Sequence, residues 1–290
     1  MKFVDGIPRV LAIGGSDPGG GAGIQADLKV MAQIGVYGAA AVTALTRQTT
    51  REVIEVFPLP PNWVLAQVED VLWDLRPAVV KTGMLQSAGI IRGLARLWGR
   101  YVEVYRRENT DVSQAVRFPA LVVDPVLHSG TGVSLLTSGG MEAFFKELLP
   151  LAAVVTPNVP EAEALTGIKI PDAAGMKRAA AAILASGVQW VLLKGGHLPG
   201  QGEIADLLCS REKSLWLKAR RVPEADLHGT GCTLASALAS FLARGMPPAE
   251  AAKRSTRWVR RGIARPLTVG HGKGVVCQQR PLNCLQGFVK

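Results

Sequence analysis

The chain has 290 residues, 48% hydrophobic and 19% charged, enough to bury roughly three quarters of its unfolded surface in one large core. No apolar run approaches the roughly 20 residues of a membrane span, residues 2–8 hold Lys2, Asp5 and Pro8 rather than a secretory segment, and Cys209, Cys232, Cys277 and Cys284 show no metal or C-x-x-C spacing. A single cytoplasmic domain over residues 1–290 is expected, and its net charge of +10 leaves nucleic acid, an anionic surface or a polyanionic small substrate as partner classes.

Apolar runs of strand character alternate with helical periodicity from end to end. Residues 10–13 predict a buried strand, 23–34 a helix, 39–45 a strand, 63–75 a helix and 78–81 a strand. Residues 101–118 are polar and charge-rich, break the rhythm and read as a surface insertion. Strands follow at 121–124, 154–156 and 190–193, with helices at 140–149 and 173–185 between them. Residues 206–216 predict a short hairpin, a minor antiparallel edge. Helices near 233–243 and 248–264 close the core, and residues 277–290 form a tail without identifiable chemistry. Continuous apolar strands separated by helices predict an α/β fold with a mostly parallel sheet covered on both faces. Ligands in such sheets bind beyond the carboxyl ends of the strands, so residues 14–23, 46–50, 81–84, 124–132, 156–161 and 194–197 are expected along one rim.

Two segments carry the chemistry. In His228-Gly229-Thr230-Gly231-Cys232-Thr233 the glycines directly precede helix formers. The unpartnered N–H groups and dipole of that helix N-terminus suit an anion such as phosphate; a helix cap of small residues is the alternative. Gly14-Gly15-Ser16-Asp17-Pro18-Gly19-Gly20-Gly21-Ala22-Gly23 follows the first strand, yet it has neither the G-x-G-x-x-G spacing nor the G-K-S/T of a P-loop. It reads as a glycine-dense turn, for packing or for a small polar ligand approached by Gln25, Asp27 and Lys29. Arg254, Arg257, Arg261 and Arg265 recur on one helix face beside Trp258. Without a nucleic-acid module that stripe reads as a solvated face, and no nucleic-acid or membrane partner is expected.

Together with Thr43-Ala44-Leu45-Thr46-Arg47-Gln48, Lys81-Thr82-Gly83-Met84, Val123-Asp124-Pro125-Val126, Thr156-Pro157-Asn158-Val159-Pro160-Glu161, Leu193-Lys194-Gly195-Gly196-His197 and the 228–233 motif, the run from Gly14 to Lys29 resembles the hydroxymethylpyrimidine and phosphomethylpyrimidine kinases of thiamine biosynthesis, in the ribokinase-like superfamily. The resemblance implies a three-layer α/β/α sandwich with a small antiparallel edge. It also implies ATP and Mg2+, a pyrimidine alcohol and its monophosphate as substrates, and a homodimer. It puts Asp27 at the substrate's hydroxymethyl group and Gln48 at the ring nitrogen and exocyclic amine, with Gly15, Thr46, Met84 and Val126 around the ring. Asn158 and Glu161, with Asp124, would organise Mg2+, and Lys194 would meet the nucleotide phosphates. Gly229, Thr230, Gly231 and Cys232 would receive the moving phosphoryl group. A thiol at a helix N-terminus can have a lowered pKa and act as base; alternatively Cys232 only lines the pocket and the phosphate accepts the proton. The chain departs from the family at Leu127-His128-Ser129-Gly130, with glycine where a lysine is usual, at Thr49 and at Asp226-Leu227. Pyridoxal kinase and a catalytically weak pyrimidine-binding regulator are the competing readings.

Overall fold

The computed structural model describes residues 6–108, 119–127, 135–137, 139–196, 198, 202–222 and 227–279. The elements follow the predicted alternation: β1 (Arg9–Ser16), α1 (Gly23–Ile34), β2 (Tyr37–Gln48), β3 (Val53–Pro58), α2 (Pro61–Leu75), β4 (Val79–Thr82), α3 (Ala88–Glu108) and β5 (Ala120–Val123). The second half continues with α4 (Gly140–Ala143), β6 (Val154–Val155), α5 (Val159–Thr166), α6 (Ala173–Ala185), β7 (Trp190–Leu193), β8 (Glu203–Cys209), β9 (Ser214–Arg220), α7 (Thr230–Ala243) and α8 (Pro248–Ile263). After α4 the chain runs on as a π turn over Phe144–Leu148 and a 3-10 turn over Leu149–Leu151, where sequence predicted one helix over 140–149.

Among the described residues these strands form one sheet in the order β3-β2-β1-β4-β5-β6-β7-β8-β9. Strands β2, β1, β4, β5, β6 and β7 are parallel, and β8 and β9 form the expected antiparallel edge. The opposite edge is antiparallel too, because β3 pairs back on β2. That strand escapes the sequence reading since its residues are half-exposed or exposed and lack a buried apolar run.

The strands of the parallel core are buried on both faces, and alternate residues serve opposite sides. Leu11, Ile13, Val80, Leu121, Val123 and Val155 pack with α2, α3 and α6 side chains such as Leu72, Leu94 and Ile183. Val10, Ala12, Val79, Val122 and Val154 pack with Val30 and Ile34 of α1, Leu238 of α7 and Val259 of α8. Each such side chain contributes about 1.5–3 kcal/mol by leaving water. Lys81 belongs to the second set and is only 1% exposed, so it must find a partner inside.

The insertion expected over 101–118 does not begin where the sequence suggested. Residues 101–108 extend α3. Tyr101 is fully buried, stacks near Trp73, Trp98 and Tyr105, and donates its hydroxyl to the Pro77 carbonyl at 2.9 Å. Apolar residues at helical spacing (Ile90, Ile91, Leu94, Leu97, Trp98, Tyr101) lie on the buried face and the charges on the other; the charge-rich composition concealed this periodicity. Residues 109–118, His128, Gly130, His197, Asp226, Cys284 and the tail from 280 onward lie outside the described residues.

In the sheet order β1 lies between β2 and β4, so successive connections leave it in opposite directions. Such a switch opens a crevice beyond the carboxyl ends of the two strands. No helix of the described residues is long and apolar enough to cross a membrane. On α8, Arg254 pairs with Glu250 one turn away on the exposed face, while Trp258 packs against the core, which suits a solvated stripe.

Candidate active site

The crevice over the switch holds about 860 Å3. The residues that the resemblance singled out line it, from Gly15, Asp27, Thr46, Gln48, Met84 and Val126 at one end to Asp124, Asn158, Glu161, Lys194 and the 229–232 loop at the other, whereas Gln25 and Lys29 do not.

The glycine turn after β1 is built around Asp17. Its carboxylate accepts N–H groups from Gly19 (2.9 Å), Gly21 (3.1 Å) and Ala22 (2.8 Å) and the Nε2 of His228 (3.0 Å). Burial works to raise the Asp17 pKa, but the bonds from His228, Ala22 and Gly19 outweigh it and hold the pKa below the usual carboxylate value. Gln25 and Lys29, which sequence offered as ligand groups, brace the same turn. Gln25 accepts the Asp17 N–H and donates to Ser16 Oγ, and Lys29 donates to Gly20 O. A Cβ on Gly15 would sit 2.7 Å from Met84 Cε, so any side chain there would displace the end of Met84.

Gln48 ends β2 beside this turn, its Nε2 2.9 Å from His228 Nε2. Asp17 can only accept, so the His228 Nε2 hydrogen points at Asp17. The Gln48 amide, with its Oε1 3.4 Å from Thr46 Oγ1, lines the crevice beside that ring. Thr46, by contrast, spends its hydroxyl on Ser16 O at 2.8 Å.

Asp27 proves less open than sequence suggested. Lys81 Nζ donates to both its oxygens at 3.0 and 2.9 Å, and Ser236 of α7 donates to Oδ1 at 2.6 Å. Burial opposes the Lys81 charge, but the Asp27 carboxylate overrides it and holds the lysine pKa above its ordinary value. Sequence reasoning passed over Lys81, Asp17 and His228. The signal for Lys81 was a lysine inside an apolar strand run, which requires a buried partner; for Asp17 it was an aspartate two residues ahead of glycine, the pattern of a side-chain-bonded turn.

The 228–233 motif forms the expected helix N-terminus. Gly229 is the N-cap of α7 with φ 85°, and no side chain caps the helix. A Cβ at Gly229 would lie 1.9 Å from Gly21 O, so glycine is required both for the backbone angle and for the contact between the two glycine loops. Cys232 sits in the first turn of α7 with the Gly23 N–H directed at its sulfur. Its thiol nonetheless departs from the lowered pKa expected at a helix start. Burial pushes it up to about 11, with Asp27 and Asp124 adding to the rise against Lys81 and the Gly23 N–H.

At the other end, Asn158 and Glu161 form a capping box on α5. Asn158 Oδ1 accepts the Glu161 N–H at 2.8 Å and Glu161 Oε2 accepts the Asn158 N–H at 2.7 Å. Lys194 Nζ lies 3.3 Å from Asp124 Oδ1 and 3.8 Å from Glu161 Oε2, and Thr156 donates to Asp124 Oδ1 at 2.9 Å. A Cβ on Gly231 would meet Asp124 Oδ2 and Lys194 Nζ, each at 3.5 Å, so the carboxylates and the lysine adjoin the α7 N-terminus. Burial lifts the Glu161 pKa to about 7, with Lys194 opposing and Asp124 adding to the rise. No cluster of three or more His, Cys, Asp or Glu among the described residues would hold a resident metal. A pair of carboxylates instead suits Mg2+ that arrives with phosphates and keeps its own waters.

The family model described as phosphomethylpyrimidine kinase matches residues 17–277. The chain is 43% identical over 269 residues to the hydroxymethylpyrimidine/phosphomethylpyrimidine kinase of Streptomyces coelicolor, covering 93% of each chain. It is also 43% identical over 270 residues to the thiamine biosynthesis bifunctional protein ThiED of Geobacter sulfurreducens, covering 92% of this chain and 52% of that one. Among solved structures, pyridoxal kinase from Staphylococcus aureus in complex with AMP-PCP and pyridoxal superposes with a TM-score of 0.78 at 34% identity, covering 94% of each chain.

Proposed function

The chain belongs to the phosphomethylpyrimidine kinase family, and from that premise we propose that it transfers the γ-phosphoryl group of ATP to 4-amino-5-hydroxymethyl-2-methylpyrimidine, and then a second one to the monophosphate, in thiamine biosynthesis. The observation that carries this reading is one crevice with the Gln48 amide, 2.9 Å from His228 Nε2, at one end and an uncapped helix N-terminus flanked by Lys194 at the other. Phosphoryl transfer asks for alignment and charge stabilisation more than for covalent help, and that is what the two ends offer.

Gln48 presents donor and acceptor together and so pairs with a ring nitrogen and its neighbouring amine. Gly15, Met84 and Val126 flank the ring, with Thr46 bracing the turn beneath it. Asp27 Oδ2, still able to accept one more hydrogen bond beside Lys81, orients the hydroxymethyl group. The N–H groups of α7 at Gly231 and Cys232, with Gly229 and Thr230 shaping the approach, receive the transferring phosphoryl group. Lys194 neutralises the phosphates. Asp124 and Glu161, braced by Asn158, would hold Mg2+, which supplies charge neutralisation between the phosphates. Cys232 remains a neutral thiol lining the pocket, and the substrate's proton passes to the phosphoryl oxygens.

A pyridoxal kinase activity is the second reading, favoured by the structural likeness just described. Gln48 argues for the aminopyrimidine, because the pyridine ring lacks the matching amine and would leave the amide unpaired once the ligand covers it. The reading also carries a cytoplasmic setting and a homodimer; the exposed Leu45, Phe57 and Trp63 near the β3 edge support the latter. Coupled ATP-consumption assays with the pyrimidine alcohol, its monophosphate and pyridoxal test the assignment. Turnover highest on pyridoxal, or on none of the three, would overturn it.

A further inference from the structure

The segment after α8, where the sequence offered no chemistry, carries a buried amide. Gln278 is 3% exposed. Its Nε2 donates to Gly21 O at 2.9 Å and to Thr233 Oγ1 at 3.3 Å. Gly21 belongs to the glycine turn after β1, and Thr233 to the first turn of α7. One side chain therefore bridges the two loops that meet at Gly229.

The bridge itself is anchored. The His228 N–H donates to Gly274 O at 2.9 Å and the Val276 N–H to His228 O at 3.2 Å, while Leu267 and Val275 exchange both backbone bonds at 2.9 Å. Behind it Val276 is fully buried, and a Cβ on Gly262 would stand 2.6 Å from Cys277 O. With its backbone held on the α8 side and its amide held on the loops, Gln278 is a strut of fixed length. Neither Gln278 nor Gly21 lines the crevice, so removing the amide takes no contact from either substrate.

We propose that Gln278 is a positioning residue for phosphoryl transfer, setting the distance between the turn that carries Asp17 and the α7 amides that receive the phosphoryl group. The inference rests on the kinase reading above. Reacting atoms must approach to about 3–3.5 Å in line, and a misplacement of about 1 Å costs on the order of 100-fold in rate. A strut outside both substrate contacts acts on that alignment and not on ground-state binding.

The test is Gln278→Leu, which keeps the bulk and deletes the donors, with Gln278→Glu as a second variant that can accept from the Thr233 hydroxyl where glutamine donates to it, but offers Gly21 O no donor. Steady-state kinetics with ATP and the pyrimidine alcohol, together with ATP consumed per phosphorylated product, supply the readout. The expected result is a kcat lowered by about 10- to 100-fold, both KM values within about threefold of the parent, and more than one ATP consumed per product as water replaces the misaligned acceptor. A variant with parental kcat and coupling, or one that raises KM at unchanged kcat, overturns the proposal. If Gln278→Leu does not fold, Thr233→Val removes one end of the bridge and must still lower coupling; parental coupling there also overturns it. A parent protein inactive on the pyrimidine alcohol would instead overturn the kinase reading, and is seen before any variant is compared.

Discussion

Glu161→Gln separates the charge of this side chain from its hydrogen bonding. Glu161 Oε2 accepts the Asn158 N–H at 2.7 Å, and a glutamine carbonyl can do the same in a capping box. Lys194 keeps Asp124 at 3.3 Å when its 3.8 Å partner is neutralised, so no cation is orphaned. What disappears is a carboxylate whose pKa burial raises from 4.5 to about 7. A group that holds its proton more tightly in the folded than in the unfolded chain contributes stability below its unfolded pKa, and loses it as pH rises through the folded one. The window is therefore 4.5 to about 7, and the span corresponds to about 3 kcal/mol. The ligand-free variant is expected to be more stable than the parent by about that amount at pH ~8 and no different near the lower limit, which for a chain of this length moves Tm by about 5 °C. Urea or thermal denaturation across that range measures it. In the same variant kcat should fall by about 100-fold, the scale of losing one preorganised charge at a phosphoryl-transfer site. A variant less stable than the parent at the higher pH, or a gain that does not vary with pH, would refute the argument that this charge is held ready at the expense of the fold.

Three further substitutions probe the rest of the crevice. Cys232→Ser should leave the pH–rate profile unchanged between about pH 6 and 9, because a thiol pushed up to about 11 does not titrate there; loss of an ionisation from the profile would reinstate a thiolate base. Gln48→Met should lower kcat/KM for the aminopyrimidine about 10- to 100-fold more than for pyridoxal, and equal losses would defeat the selectivity argument. Lys81→Met leaves the Asp27 carboxylate buried with Ser236 as its remaining partner and should cost about 3–5 kcal/mol. That cost should shrink as pH falls and Asp27 takes up a proton; denaturation curves that match at pH ~5 and ~8 would contradict the buried ion pair.

Period and punctuation were what the sequence determined alone. The runs 23–34 and 173–185 became α1 and α6 with the predicted ends, because a left-handed Gly35 and the Asp172 cap are local devices legible in one stretch of chain. The rim of loops, and with it the candidate residues in the crevice, followed from strands that read as buried on both faces. Partner choice across long separations belonged to the tertiary structure. Asp27 was legible as a crevice residue, but that Lys81 and Ser236 share its carboxylate was decided only when α1, β4 and α7 came together. Cys232 at a helix start left a thiolate base and a pocket-lining thiol both open, and it is burial, with Lys81 opposing and two carboxylates adding, that sets its proton affinity. Gln278 showed nothing at all until the chain folded back on Gly21. Local geometry propagates through backbone angles and can be read in order; electrostatic environment is a sum over neighbours in space, and only the fold says who they are.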